Sequence, residues 1–166
     1  MPYRDDVDTE DPLLPFAASK KAAEALCYTY RYLYGIEVTL LRYFTVYGVA
    51  RQPYMSLFCF LQWISEGRPV IVYGDWQQSP DLTYMDDIAR GTIAALSFQK
   101  SEIRNAKFEV INLGSDQSEM LMDAVRLIDE LVGKKGNLAY WSRHPADVLA
   151  TWADISKANR LLGWRL

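Results

Sequence analysis

The stretch that most restricts the fold is Glu37–Phe44, in which Val38, Thr39, Leu40, Leu41, Tyr43 and Phe44 surround a single interior charge, Arg42. A strand with one wet face alternates apolar and polar residues. A nearly unbroken β-branched and aromatic run has to be covered on both faces, which is the setting of a parallel sheet. Parallel neighbours cannot be joined by a hairpin and need crossover segments, usually helices. The rest of the chain should therefore supply helices between apolar strands.

It does so in order. Pro15 suits a first helical turn, where its missing N–H costs nothing. Ala17, Ala18, Ala22, Ala23, Ala25 and Leu26 favour a helix, and Leu26, Tyr30 and Leu33 extend one apolar face to a stop at Gly35. After the Glu37–Phe44 strand and Gly48, residues 49–54 form a turn around Pro53. Ser56 is placed to cap a helix that turns Leu57, Phe60, Leu61 and Ile64 inward and stops at Gly67. Val70–Tyr73 reads as a short strand closed by Gly74 and Asp75, and a loop of polar residues with Trp76 and Pro80 leads to Leu82–Tyr84. Asp86 or Asp87 would cap the next helix, to about Phe98. Phe108–Asn112 is a further strand, ended by Gly114. Met120, Leu121, Ala124, Leu127, Ile128 and Leu131 then repeat at helical spacing up to Gly133. A short strand at Leu138–Trp141 and a last helix, capped by Asp154 and stopped at Gly163, complete an α/β order.

Bulk properties exclude several roles. With 166 residues the chain can bury a real core, about 70% of the surface it exposes when unfolded. A net charge of −3 without a basic stripe argues against nucleic-acid binding. No apolar run approaches the roughly 20 residues of a membrane span, and the start Met-Pro-Tyr-Arg-Asp-Asp lacks the order of a secretory signal. Cys27 and Cys59 make no metal or redox spacing and read as buried thiols in a reducing compartment, so a cytoplasmic location is expected. No metal is expected. No strand is followed by a Gly-x-Gly-x-x-Gly turn; Gly133 and Gly136 follow a helix and bracket two lysines.

The ordered motifs are Pro15-Phe-Ala-Ala-Ser-Lys-Lys-Ala-Ala-Glu24, Leu41-Arg-Tyr-Phe-Thr-Val-Tyr-Gly48, Val72-Tyr-Gly-Asp75, Asp81-Leu-Thr-Tyr-Met-Asp-Asp-Ile88, Asn112-Leu-Gly114, Pro145-Ala-Asp-Val148 and Ala153-Asp-Ile-Ser-Lys-Ala158. Together they resemble the extended short-chain dehydrogenase/reductases, in particular the NAD-dependent nucleotide-sugar epimerases and dehydratases of the UDP-glucuronate 4-epimerase type. The likeness runs through practically the whole chain but covers only the C-terminal half of such a protein. It implies a truncated Rossmann-like portion, consisting of the last parallel strands and helices, plus a small α/β cap that holds a nucleotide sugar. Residues 1–49 would be the remnant of the dinucleotide-binding domain and 50–166 the substrate-binding portion, with strand 107–112 returning to the Rossmann-like sheet.

In that family a Tyr-x-x-x-Lys pair works on the sugar 4-hydroxyl: the phenolate takes the proton, NAD takes the hydride, and the lysine lowers the phenol pKa and holds the nicotinamide ribose. The resemblance places Lys20 at the lysine and Phe16 at the tyrosine. Phe16 and Lys20 share a helix face, yet a general base must be able to lose and regain a proton. Phenylalanine cannot. Outside the family context Phe16 would read as core and Lys20 as a solvated lysine.

By the same resemblance Lys20, Tyr43, Phe44 and Val46 fall at cofactor positions, and Thr45, Met55, Tyr73, Arg143 and His144 at substrate positions. Tyr73 stands where an aromatic meets the uracil ring, with core packing as its competing role. The departures gather around the ligand. Pro80 replaces the arginine that grips the diphosphate, Trp76 the second glycine of Gly-Asp-Gly, Val49 a proline, Cys59 a lysine, and His144 an Arg or Gln. Arg143 could compensate from a neighbouring position. The family's glycine-rich turn and upstream serine would precede Met1, so no cofactor is expected on this chain alone.

The expected function is thus a catalytically inactive epimerase homologue that retains weak UDP-sugar binding. The alternatives are an oligomeric interaction or structural protein built on the relic fold, or one half of a split epimerase. A bare edge on strand 37–44 and the helix at 16–34 favour a homo-oligomer.

Overall fold

A computed structural model describes residues 2–6, 12–49, 52–74, 78–98, 108–143, 145 and 150–166. The elements run α1 (Pro15–Tyr34), β1 (Val38–Tyr43), β2 (Thr45–Tyr47), α2 (Ser56–Glu66), β3 (Pro69–Tyr73), β4 (Leu82–Tyr84), α3 (Met85–Ser97), β5 (Phe108–Leu113), α4 (Leu121–Val132), β6 (Asn137–Trp141) and α5 (Ser156–Leu162). Among the described residues every strand pairing is parallel: β1 with β5, β2 with β4, and β3 with β6. The α/β class and the parallel reading of the β1 run hold. Among the described residues the second edge of β1 has no strand partner.

The expected run to Phe44 divides in two. β1 ends at Tyr43, and the amide of Phe44 still donates to the Leu113 carbonyl at 3.1 Å. Thr45–Tyr47 then leave β5 and pair with β4 as β2. Apolar continuity in sequence does not report which neighbour each segment hydrogen-bonds.

Two cores hold these layers. In one, Phe60 and Ile64 of α2 meet Val70 and Val72 of β3 and Leu121, Met122 and Val125 of α4. In the other, Ile111 and Leu113 of β5 pack with Ile88 of α3, Ala158 of α5 and Trp164. Gly91 of α3 lies where this second core is tightest, since a Cβ there would stand 2.9 Å from Leu113 Cδ1 and 3.0 Å from Trp164 Nε1. The indole N–H of Trp164 donates to the Asp87 carbonyl at 2.9 Å, which ties the last residues to α3.

α1 is attached differently. None of its residues is fully buried, and its apolar stripe of Leu26, Tyr30 and Leu33 is 60%, 55% and 61% exposed. Its link to the strand is an ion pair in which Arg42 Nε and Nη2 donate to the Glu24 carboxylate at 2.7 and 2.8 Å. The Tyr28 ring meets the Phe108 ring edge-on, with centroids 5.4 Å apart.

The cap expectations need correction. Helix α2 already includes Ser56, and its N-cap is Met55. Likewise α3 follows Tyr84 as N-cap, and Asp86 and Asp87 occupy its first turn rather than the cap. There they complement the helix dipole, and Asp87 pairs with Arg90. Asp154 lies one residue before the N-cap of α5, Ile155, and accepts the Ser156 amide at 2.9 Å.

Candidate functional site

The helix start and the strand meet at a cavity of about 760 Å³ that is lined by Phe16, Lys20, Tyr43 and Phe44, among others. Phe16 is 71% exposed, which removes the core reading of its ring. The Lys20 ammonium stands over that ring, 5.3 Å from its centroid, a cation–π contact. One helical turn thus brings the two side chains together, as their spacing requires.

A second cavity of about 770 Å³ shares Phe16, Tyr43 and Phe44 with the first and adds Thr45, Val46 and Met55. A third, of about 540 Å³, shares Thr45, Met55 and Thr151 with the second and runs to Tyr73. The three adjoin along a path from Lys20 to Tyr73. Tyr73 is 46% exposed and meets Trp141 edge-on with centroids 6.2 Å apart, so it lines a cavity wall as well as packing. Arg143 lays its stem against Gly74, with its Cβ 3.2 Å from where a glycine Cβ would stand. His144 and Trp76 lie outside the described residues.

The wall that includes Pro80 is held from several sides. The carbonyls of Gln78, Ser79 and Pro80 accept the amides of Leu121, Thr151 and Glu119 at 3.0, 3.1 and 3.1 Å. Next to them, the Asp81 side chain is fully buried. Its carboxylate accepts the Thr83 hydroxyl at 2.9 Å, the Ser115 amide at 2.8 and 2.9 Å, and the Ala153 amide at 2.9 Å. Gly114 permits this approach, because a Cβ there would lie 2.6 Å from Asp81 Oδ2. Asp81 and Thr151 were not singled out as site residues from the sequence. An aspartate between Pro80 and a strand, together with a later Gly114, was the available signal.

Two carboxylates near the N-terminal segment are shifted in opposite directions. The hydrogen bonds from Arg42 hold the Glu24 carboxyl below its ordinary value. Burial pushes Asp5 up, against the pull of its hydrogen bond from the Asn112 amide.

Lys20, Tyr43 and Phe44 line one cavity, an ammonium donor and two rings of the kind that a ribose hydroxyl and a planar cofactor ring can meet. The described residues offer no glycine-rich turn at a helix start for a pyrophosphate, so they fit one end of such a cofactor only. Among the described residues no group of His, Cys, Asp or Glu side chains could hold a metal, and no helix is long and apolar enough to cross a membrane.

The model of the NAD dependent epimerase/dehydratase family matches residues 2–114. A UDP-glucuronate 4-epimerase of Thermodesulfobacterium geofontis is 46% identical over 98% of this chain and 49% of its own length. The UDP-glucuronic acid 4-epimerase of Bacillus cereus, solved with UDP-glucuronic acid and NAD, matches at a TM-score of 0.85 and 35% identity over 95% of this chain and 50% of that one. A tyrosine-to-phenylalanine variant of the same enzyme, solved with UDP-4-deoxy-4-fluoro-glucuronic acid and NAD, matches equally well, with a TM-score of 0.85 and 35% identity. The chain spans about half the length of the relatives it matches. With parallel strands, the motif order and these matches in agreement, the chain belongs to the NAD-dependent epimerase/dehydratase family and corresponds to the C-terminal half of an epimerase of the UDP-glucuronate 4-epimerase kind.

Proposed function

We propose that this chain is the substrate side of a UDP-sugar epimerase fold that binds the nucleotide sugar weakly and does not turn it over. The observation that carries this reading is Phe16 beside Lys20, lining cavities that adjoin the one running to Tyr73. Lys20 presents an ammonium where the family uses one. Phe16 offers no exchangeable proton, and loss of a general base costs about a hundred- to ten-thousandfold in rate. A relative with a tyrosine-to-phenylalanine change is solved with both a UDP-sugar analogue and NAD, which supports binding in the absence of one phenol.

In this reading residues 1–49 belong to the dinucleotide-binding side and 50–166 to the substrate side. Lys20, Tyr43, Phe44 and Val46 face the nicotinamide end of NAD, while Thr45, Met55, Tyr73, Arg143 and His144 serve the nucleotide sugar. When bound, NAD supplies a hydride acceptor at the sugar carbon, and the residues of this chain orient the two molecules.

The test is calorimetry of the chain with UDP and UDP-glucuronate, paired with an epimerisation assay in the presence of NAD. Heat of binding without turnover is expected, and turnover by the native chain refutes the inactivity. Phe16→Tyr, combined with the N-terminal half of a relative, is expected to restore epimerisation. Failure of that combination points to the changes at Pro80 and Trp76.

The exposed Leu26, Tyr30 and Leu33 stripe of α1 favours a second reading, an oligomer that covers this face, in cytoplasm. A monomeric mass by light scattering at low concentration contradicts it. A strand from the N-terminal half of the fold is a further candidate for the second edge of β1, which has no strand partner among the described residues, and co-purification with a chain carrying the glycine-rich turn tests that case.

A further inference from the structure

We infer that Arg42 is a joint that couples the seating of residues 2–6 to the seating of α1, so that two walls of the Lys20 cavity hold or loosen together. This coupling belongs to the fold and operates whether or not a UDP-sugar binds. One wall carries Tyr3 and Arg4, the other carries Phe16, Lys20 and Cys27 of α1, and Arg42 and Asn112 line the same cavity.

The joint begins in the sheet. Arg42 of β1 and Asn112 of β5 are register partners, and neighbours in register project to one face. Asn112 is buried and holds the segment: its Nδ2 donates to the Tyr3 carbonyl at 2.8 Å, and its amide donates to the Asp5 carboxylate. Tyr3 is also held by residues 152–154. Its amide donates to the Trp152 carbonyl at 2.8 Å, and its carbonyl accepts the Asp154 amide at 2.9 Å. Arg42 divides its donors. Nη1 donates to the Asp5 carbonyl at 3.3 Å, while Nε and Nη2 donate to the Glu24 carboxylate at 2.7 and 2.8 Å. Glu24 stands one turn beyond Lys20 on α1.

A guanidinium is planar, so its nitrogens cannot be aimed independently. A segment that fixes Nη1 thereby fixes the fork that Glu24 meets. Release of residues 2–6 frees the plane to rotate, and the Glu24 bonds lengthen or bend. α1 has little else to resist this, since none of its residues is fully buried. A helix seated in this way opens locally at lower free energy than α2 and α4, which bury Phe60, Ile64, Leu121, Met122 and Val125. The coupling is reciprocal: a ligand that steadies either wall steadies the other.

The experiment is peptide-resolved hydrogen–deuterium exchange on the full chain, comparing the native protein with Asn112→Ala, Arg42→Lys and the double variant. Asn112→Ala removes the side-chain bond to Tyr3 and leaves Arg42 and Glu24 in place. It is expected to speed exchange in α1 by about three- to tenfold, with α2 and α4 changed by less than about twofold. Arg42→Lys keeps the charge but loses the fork, so it speeds α1 by itself. Adding Asn112→Ala to it should then change α1 by less than about twofold. Unchanged α1 exchange in Asn112→Ala overturns the inference. So does a rise shared equally by α2 and α4, because α1 then opens only with the whole fold. A double variant in which the two effects multiply in full overturns Arg42 as the joint. If Asn112→Ala fails to fold, Tyr3→Ala, which removes the ring contact with Phe44, decides by the same criteria.

Discussion

Replacing Asp81 tests whether one buried carboxylate holds the cavity wall. The carboxylate receives the Thr83 hydroxyl and the amides of Ser115 and Ala153, all in a fully buried position. Asp81→Ala leaves two backbone N–H groups without their acceptor, each costing about 1–3 kcal/mol. Removal of the side chain also opens a small void, and the sum is about 3–5 kcal/mol. Asp81→Asn behaves differently. An amide turned so that its oxygen meets both N–H groups can donate its NH₂ to the Thr83 hydroxyl oxygen, because a hydroxyl accepts as well as donates. The charge assistance is then lost, and the NH₂ stands about 2.8 Å from the Ser115 amide where an acceptor stood, so the cost is about 1–3 kcal/mol, below that of Ala. Equilibrium urea unfolding followed by tryptophan fluorescence and circular dichroism separates the two. Equal losses for Asn and Ala, or an Ala loss below about 1 kcal/mol, refute the assignment of Asp81 as the acceptor that ties β4, the turn after β5 and the segment before α5 together.

Two other perturbations have definite signs. In Gly91→Ala the new methyl meets Leu113 and Trp164, both nearly inaccessible to solvent; overpacking of about 1–3 kcal/mol outweighs a helix-propensity gain of about 1 kcal/mol, so the urea midpoint should fall, and a rise contradicts the packing. Glu24 has its carboxyl lowered by the Arg42 hydrogen bonds, so its contribution is complete above its ordinary 4.5 and disappears as pH falls through the lower folded-state value. Glu24→Gln should therefore cost about 1 kcal/mol at neutral pH and flatten the acid limb of the stability–pH curve; an unchanged limb counts against the pair as the tether of α1. Asp5 works in the opposite direction, because a carboxyl raised by burial contributes most below its ordinary 3.8 and loses that contribution as pH rises through the folded-state value.

The elements of the fold were legible where one physical signal dominates. An apolar run too continuous for a one-sided sheet demanded the parallel pairing that β1 makes with β5. Glycine after each apolar helical face marked the ends of α1, α2, α4 and α5, where Gly35, Gly67, Gly133 and Gly163 adopt the left-handed conformation. Helix starts were less legible. Ser56, Asp86 and Asp87 have cap chemistry, but the same groups are tolerated inside a first turn, and the choice depends on where the preceding strand ends. The direction faced by α1 was illegible. Its apolar stripe looks like a buried face, whereas the stripe bearing Glu24 turns to the strand because Arg42 waits there.

The site divides along the same line. Phe16 and Lys20 were readable because a helix fixes what residues one turn apart can do, and in the structure the Lys20 ammonium lies 5.3 Å from the Phe16 ring centroid, both lining one cavity. The cavity near Tyr73 is assembled from segments far apart in sequence, so Tyr54, Trp63 and Thr151 gave no local sign of sharing it. Trp63 comes to it with α2, packed against the first core, and Thr151 comes through the hydrogen bond of its amide to the Ser79 carbonyl, a contact that carries no periodic pattern. Chemistry written in a single element can be read from that element. Recognition shared among loops depends on what holds the loops, and Asp81 is one such hold: if its substitution loosens the wall, the UDP-sugar binding proposed above should weaken even though Asp81 itself is not among the side chains lining the cavity.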